Sequence, residues 1–261
     1  MDAKSVNKQL KDLYDHWLNK DLANKYDIKE YTYPVLMKCN SKYCDSQTKI
    51  LFIEQETKDW FTGNDGYKST PKSKTTYPLR QRTMYNIDAL MDWYDKSYEK
   101  LTNKVSSTDY FEKIMVKISQ TINSKFDCLW TSVTKIDRKS NNYPDRKELH
   151  YCEDINLSIL VREIEYANPD VIVYATGTSN NNDISTIKNI VGRDTLFIPI
   201  KEDKQISLVT KQNIGKLVVR IPDFSWSANT LSQTLSTLIK NNVYAYSYPT
   251  NKFQDSQIYR Y

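Results

Sequence analysis

Apolar positions along the chain follow two patterns, short continuous runs and residues spaced three or four apart. The short runs predict strands at 49–53, 128–133, 170–175, 196–200 and 216–221. The spaced pattern predicts helices at 5–25, 80–102, 109–122, 154–167, 183–191 and after the capping residue Ser227. Because strands separated by helices imply parallel crossovers, we expect a three-layer α/β/α sandwich around a mostly parallel sheet of four or five strands.

The chain of 261 residues is long enough for one substantial core. We expect a single domain spanning 1–261, with an N-terminal helical extension at about 1–45, a core at about 49–240 and a tyrosine-rich tail at 243–261. No segment approaches the roughly 20 apolar residues that a membrane span needs, and the first residues lack an apolar leader region. We therefore expect a cytoplasmic protein that does not associate with membranes.

Glycine and cysteine usage excludes several classes of chemistry. The five glycines form neither a dinucleotide-binding fingerprint nor a phosphate-binding loop. The four cysteines form no CxxC pair, so free thiols are favoured over an iron–sulfur cluster. Neither His16 nor His150 follows a predicted strand, so packing or surface roles are favoured for both. The sequence therefore predicts neither a metal ion nor an organic cofactor, and the net charge of +5 is compatible with binding a phosphate backbone.

The chemistry of such a sheet is expected where its strands end. Ligands of open α/β sheets bind outside the carboxyl ends of the strands. Glu54 and Glu56 stand directly after the first predicted strand. Two neighbouring carboxylates can shift each other's pKa and act as acid or base. The alternative is that one caps the next element and the other faces solvent.

Four segments, in chain order, resemble the uracil-DNA glycosylase superfamily. The first is Ile50-Leu-Phe-Ile-Glu-Gln-Glu-Thr-Lys-Asp-Trp60, where the family has a strand running into Gly-Gln-Asp-Pro-Tyr or Gly-Gln-Glu-Thr-Asn-Gly-Trp. The second is Leu129-Trp-Thr-Ser-Val-Thr-Lys135, similar to a strand that ends in Leu-Trp-Asn and a Lys. The third, Asn168 to Gly177, looks like the family's Pro-Asp-Val strand, and Arg220-Ile-Pro-Asp223 stands at its His-Pro-Ser. The resemblance covers roughly 49–240, and only the first segment is specific.

The resemblance assigns catalytic and base-binding roles. Glu56 matches the carboxylate that positions the attacking water, and a carboxylate there would also stabilise the oxocarbenium-like sugar. Gln55 would bind the flipped base or a phosphate, and Glu54 replaces a small glycine beside the ligand. Trp60 and Phe61 would stack on the extruded base, with core packing as an equally weighted alternative.

Two departures change the expected substrate. Thr131 stands where the family has its base-reading Asn, and a hydroxyl cannot reproduce the bidentate pattern of an amide. Ile221 stands where the family has its His, so the usual donor to the departing base is missing. Arg220, Ser225 or Lys135 could replace that donor. A modified base, such as a modified cytosine, fits this site better than uracil does.

The remaining candidates would contact DNA. Phe224 and Trp226 could wedge into the duplex, although burial under the last helix is an alternative. The residues placed against the phosphate backbone are Arg220, Asp223, Ser225, Lys135, Arg138 and Lys139. For any single lysine, a solvated surface position is the competing interpretation.

These observations lead to one main hypothesis and two rivals. The main one is a monomeric, monofunctional DNA glycosylase that removes a flipped base in repair or in defence against modified foreign DNA. A lyase is disfavoured because Lys58 is the only lysine beside the first motif. The first rival is a nucleic-acid-binding or inhibitory protein that keeps the fold without catalysis. The second is an unrelated flavodoxin-like binding domain.

Overall fold

A computed structural model describes residues 2–27, 33–54, 80–81, 84–103, 126–135, 146–175, 184, 187–190, 195–200, 203–210, 217–221, 233–234, 236–238 and 240–241. The helices with defined ends are α1 (Ala3–Asp15), α2 (Ala23–Lys25), α3 (Ser41–Cys44), α4 (Ile87–Asn103) and α5 (Arg146–Ala167). The strands are β1 (Thr48–Glu54), β2 (Arg80–Gln81), β3 (Met84–Tyr85), β4 (Phe126–Ser132), β5 (Val171–Ala175), β6 (Leu196–Ile200), β7 (Asp203–Thr210) and β8 (Leu217–Ile221). Residues 184, 187–190, 233–234, 236–238 and 240–241 are also helical.

The main sheet has six strands in the order β4-β1-β5-β8-β7-β6. The first four are parallel, whereas β7 pairs antiparallel with both β8 and β6. The three-layer α/β class and the mostly parallel sheet are therefore confirmed. The expected number of four or five strands is wrong because β6 and β7 form a hairpin, which needs no intervening helix. β7 was not predicted.

The N-terminal helix contributes to the core. Asp2 caps α1 by accepting a 2.8 Å hydrogen bond from the N–H of Ser5, and a π-helical segment, His16–Leu22, continues the helix. Apolar residues at helical spacing are buried along this stretch, where α1 contacts both α4 and α5. They include Val6, Leu10, Trp17, Leu18 and Leu22. These contacts explain why a segment so close to the chain end is helical.

Helix α4 starts later than the sequence pattern indicates. The expected helix began at residue 80, but 80–81 and 84–85 form a short antiparallel pair. Asn86 caps the helix instead, since its side-chain oxygen accepts a 3.1 Å hydrogen bond from the N–H of Ala89. The helix expected at 109–122 lies outside the described residues.

Residues 168–170 end α5 and start β5. Asn168 has a φ of 44°, a left-handed conformation that asparagine tolerates at a helix end. Asp170 then joins β5 to β1. Its N–H donates to the carbonyl of Lys49 at 2.8 Å, and its carboxylate accepts from the N–H of Lys49 at 2.9 Å. The Asn-Pro-Asp sequence thus fixes where β5 begins against β1.

Tyr94 of α4 covers the outer edge of β4. Its hydroxyl donates to the carbonyl of Trp130 at 2.8 Å and accepts from the N–H of the same residue at 3.1 Å. The two rings also stack, with centroids 5.3 Å apart. A side chain therefore satisfies backbone groups that an unpaired edge strand would leave exposed. Within the described ranges, no helix has the length and apolar content needed to cross a membrane.

Candidate functional site at the carboxyl ends of the parallel strands

The four parallel strands end at the same level. Glu54 at the end of β1 is in register with Ser132 of β4 and with Ala175 of β5, and Ala175 is in register with Ile221 of β8. Each of the four segments that resemble glycosylase motifs therefore leaves the sheet on the same side, at the carboxyl ends of the parallel strands.

The ends of β1 and β4 are joined by a direct hydrogen bond. The N–H of Val133 donates to the carbonyl oxygen of Glu54 at 2.7 Å. One residue earlier, the hydroxyl of Ser132 donates to the carbonyl of Thr134 at 2.8 Å, which closes a tight turn. The starting points of the segments after β1 and β4 are thus fixed relative to each other.

A buried polar cluster of four side chains lies beside this turn. Tyr14 of α1 donates to Oε1 of Glu163 at 2.6 Å, and Thr131 of β4 donates to Oε2 at 2.8 Å. The Lys135 ammonium donates to Oε2 of Glu163 and to Oγ1 of Thr131. One carboxylate on α5 therefore receives three donors, one from α1 and two from the end of β4.

Burial determines the electrostatics of the cluster. All four side chains are completely buried. Burial lowers the pKa of Lys135, although the ion pair with Glu163 opposes that change. Burial and the neighbouring Glu163 carboxylate raise the pKa of Tyr14 well above its usual range. Three donors converge on the Glu163 carboxylate, so the cluster is suited to holding a buried charge in a fixed geometry.

Two sequence predictions need correction at this cluster. Lys135 was expected to contact a DNA phosphate, but its side chain is buried and paired with Glu163, so it cannot reach one in this structure. Thr131 was expected to contact the base. Its hydroxyl is buried as well and bonds to Glu163 and Lys135. Both residues hold the end of β4 in place rather than lining an open cleft.

Glu54 and Thr131 lie on opposite faces of the sheet. Residues that pair in register across a parallel sheet have side chains on the same face, and neighbours along a strand alternate between the two faces. One such set of paired residues consists of Thr131, Ile53, Tyr174 and Arg220. Glu54 pairs with Ser132, the next residue along β4, so the side chains of Glu54 and Thr131 lie on opposite faces and do not meet. Both Glu54 and Arg220 are partly buried.

The other predicted site residues lie outside the described part of the chain. They are Gln55, Glu56, Trp60, Phe61, Arg138, Lys139, Asp223, Phe224, Ser225 and Trp226. Among the residues that the structure describes, no group of three or more His, Cys, Asp or Glu side chains could hold a metal ion.

Glu163 and Tyr14 were not identified as candidate polar residues from the sequence. A signal for Glu163 does exist, because it lies four residues after Ile159 and three after Leu160 on the inward face of α5. A carboxylate on an apolar helix face is rarely buried without a partner. Tyr14 lies four residues after the buried Leu10, a spacing that predicts burial but does not show that its hydroxyl meets a carboxylate.

Comparisons of the chain with protein-family models and with curated proteins gave no match.

Proposed function

We propose that the chain is a DNA-glycosylase-like enzyme that hydrolyses the N-glycosidic bond of a flipped base. The observation that carries this proposal is that four adjacent parallel strands end in register, at Glu54, Ser132, Ala175 and Ile221. The four segments that resemble one family's motifs each run through one of these strand ends. A single site could draw on all four, as ligand sites of open α/β sheets do.

Glu56 is the catalytic residue of the proposal. It stands two residues beyond Glu54, whose carbonyl is fixed by Val133. Its carboxylate would orient water toward the sugar carbon as the bond to the base breaks, and would stabilise the positive charge that develops on the sugar. This mechanism needs no metal ion or organic cofactor. A monofunctional reaction is proposed, with water as the nucleophile.

The proposed substrate is a modified base rather than uracil. The hydroxyl of Thr131 is engaged with Glu163 and Lys135, and no amide stands at that position. Ile221 is buried at the end of β8 and has no donor for the departing base. With Lys135 buried, Arg220 and Ser225 are the remaining candidates for that donor. Duplex DNA opened by Phe224 or Trp226 is the proposed partner, and the protein is proposed to act as a monomer.

The protein is proposed to act in the cytoplasm, either in DNA repair or in defence against modified foreign DNA. Three of the cysteines, Cys39, Cys44 and Cys128, are free thiols. Free thiols are typical of a reducing compartment.

A second candidate function is nucleic-acid binding or inhibition without catalysis. The burial of Thr131 and Lys135 favours it, because two contacts of the family-like site are then missing. The two candidates differ in what Glu56 does. Binding alone should survive its neutralisation, whereas base excision should not.

The experiment that tests the proposal is an abasic-site assay on purified protein. Substrates would carry normal bases, uracil or modified cytosines, each in single-stranded and duplex DNA. We expect alkali-labile sites with one modified substrate, and their loss in Glu56→Gln. Glu165→Gln is a matched control, since Glu165 is exposed on α5 and pairs only at the surface with Arg162. If the protein binds DNA but forms no abasic sites on any substrate, the enzyme proposal is wrong and the binding-protein proposal takes its place.

A further inference from the structure

The buried cluster joins the N-terminal helix to the end of β4. Glu163 on α5 accepts from Tyr14 on α1, from Thr131 on β4 and from Lys135 just after β4. Tyr14 is 149 residues from Glu163 in the sequence. The helix that was expected to be an extension of the core therefore supplies a donor inside it.

Thr131, near the end of β4, and Lys135 flank the turn at the end of that strand. Between them, Val133 donates to the carbonyl of Glu54 at 2.7 Å, and Ser132 donates to Thr134. The Glu163 carboxylate thus holds both ends of a five-residue stretch whose middle contacts the end of β1. Glu56, the proposed catalytic residue, lies two residues beyond that contact.

Stability alone does not account for a buried ion pair at this position. Removing a lysine and a glutamate from water is costly, and an apolar pair of similar volume is often equally or more stabilising. What the ion pair adds is geometry. The hydroxyls of Thr131 and Tyr14 and the ammonium of Lys135 converge on the two oxygens of Glu163, and this fixes their relative positions. The hydroxyl of Tyr14 also lies 3.3 Å from a second acceptor, the carbonyl of Met37.

We propose that Glu163 is a positioning residue of the site and that Tyr14 of the N-terminal helix completes it. The carboxylate holds the turn after β4, the turn holds the carbonyl of Glu54, and the segment carrying Glu56 starts from that point. This inference rests on the proposed function where it concerns base excision. Its structural part, the control of the turn after β4 by Glu163, can be measured without catalysis.

The test uses a charge-free double variant of the full chain, Glu163→Leu with Lys135→Met. Both charges leave together, so no unpaired charge remains in the core. We expect the double variant to fold with a smaller loss of stability than Glu163→Gln, because no charge is left unpaired although the buried hydroxyl of Thr131 loses its acceptor. We expect DNA affinity within about two-fold of that of the wild type and a single-turnover excision rate roughly 10- to 100-fold lower, because small displacements of a catalytic group have effects of that size. A purely structural pair would leave that rate unchanged in the folded variant.

Hydrogen–deuterium exchange on the same proteins separates this inference from the proposed function. We expect faster exchange in peptides covering 131–135, with peptides of β5 unchanged. Glu165→Gln, which neutralises an exposed carboxylate on the same helix, should alter neither exchange nor excision. If the wild type excises no base, the proposed function fails and the exchange result alone decides the inference.

Two outcomes overturn the inference. One is a stable double variant with wild-type excision, and the other is unchanged exchange at 131–135. If the double variant does not fold, Tyr14→Phe provides the second test, because it keeps both charges and removes one donor to Glu163. It should shift exchange and excision in the same directions by smaller amounts, and wild-type values for both would also overturn the inference.

Discussion

The N–H of Val133 donates a 2.7 Å hydrogen bond to the carbonyl oxygen of Glu54 and joins the ends of β4 and β1. These strands carry two of the four segments that resemble glycosylase motifs. Behind the turn, Glu163 receives donors from Tyr14, Thr131 and Lys135. The site proposed for the chain therefore lies beside two hydrogen-bonded strand ends and a buried polar cluster, and each part can be tested separately.

Neutralising Glu163 alone should be strongly destabilising. Glu163→Gln leaves the Lys135 ammonium buried without its counter-charge, which costs about 3–5 kcal/mol in comparable buried pairs. The double variant Glu163→Leu with Lys135→Met should lose less stability than Glu163→Gln, because no unpaired charge remains and the main cost is the lost acceptor of the Thr131 hydroxyl. Urea unfolding of the single and double variants measures both effects. A Glu163→Gln protein as stable as the wild type would show that the ion pair does not form in the folded chain.

The hydroxyl of Tyr94 should stabilise the edge of β4. Tyr94→Phe removes the partner of both the N–H and the carbonyl of Trp130, so we expect a loss of about 1–3 kcal/mol. Tyr174→Phe is the matched control, since that tyrosine is also buried and its hydroxyl has no hydrogen-bond partner among the described residues. The control should be neutral or slightly stabilising. Equal losses in the two variants, measured by urea unfolding, would contradict the edge-covering role.

Alkaline pH should destabilise the protein. Burial raises the pKa of several phenols and thiols, namely Tyr14, Tyr43, Tyr94, Tyr174, Cys39 and Cys128. In the unfolded chain these groups ionise near 9.0 for Cys and 10.0 for Tyr, whereas in the folded chain they stay protonated. Their contribution is therefore fully present below pH 9 and is lost as the pH rises further.

Among the residues that the structure describes, Lys135 opposes this alkaline loss. Burial lowers the pKa of Lys135 below its usual 10.5, so between the lowered value and 10.5 the unfolded chain binds more protons than the folded one. This term alone would raise stability with pH. The six raised groups outnumber it, so the free energy of unfolding should fall steeply above pH 10.

Urea unfolding between pH 7 and 11 measures this dependence. Above pH 10, Tyr174→Phe should reduce the slope by about 1.4 kcal/mol per pH unit, the contribution of one group. A free energy of unfolding that does not change between pH 9 and 11 would contradict the buried positions of these side chains.

The sequence predicts most of the fold because its strands are strongly apolar. β5 is a continuous apolar run, β1 contains one at 50–53, and β8 is apolar except for Arg220. Helices separate most strands of the six-stranded sheet. β7 was missed because its first three residues, Asp203, Lys204 and Gln205, are polar, and because a hairpin does not follow the alternation of strands and helices. The start of α4 was misplaced because Asn86, six residues inside the expected helix, is its cap.

The site was only partly predictable, and the reason is tertiary contact. Periodicity places Thr131 and Lys135 at a strand end but cannot show that a carboxylate from α5 reaches both of them. From the sequence, Thr131 was therefore expected to contact a base and Lys135 a phosphate, whereas both side chains bind Glu163 inside the protein. Charged residues on an otherwise apolar helix face, such as Glu163, are the available sequence signal for such a partner.

The central claim is that Glu56 promotes hydrolysis of the bond between a base and its sugar. One comparison tests this claim most directly. The single-turnover rate of abasic-site formation is measured for the wild type and Glu56→Gln on the best modified-base substrate, together with DNA affinity. We expect a rate decrease of at least about 100-fold with affinity changed by less than about three-fold, since the carboxylate acts mainly in the transition state. Excision by Glu56→Gln at the wild-type rate would contradict the claim.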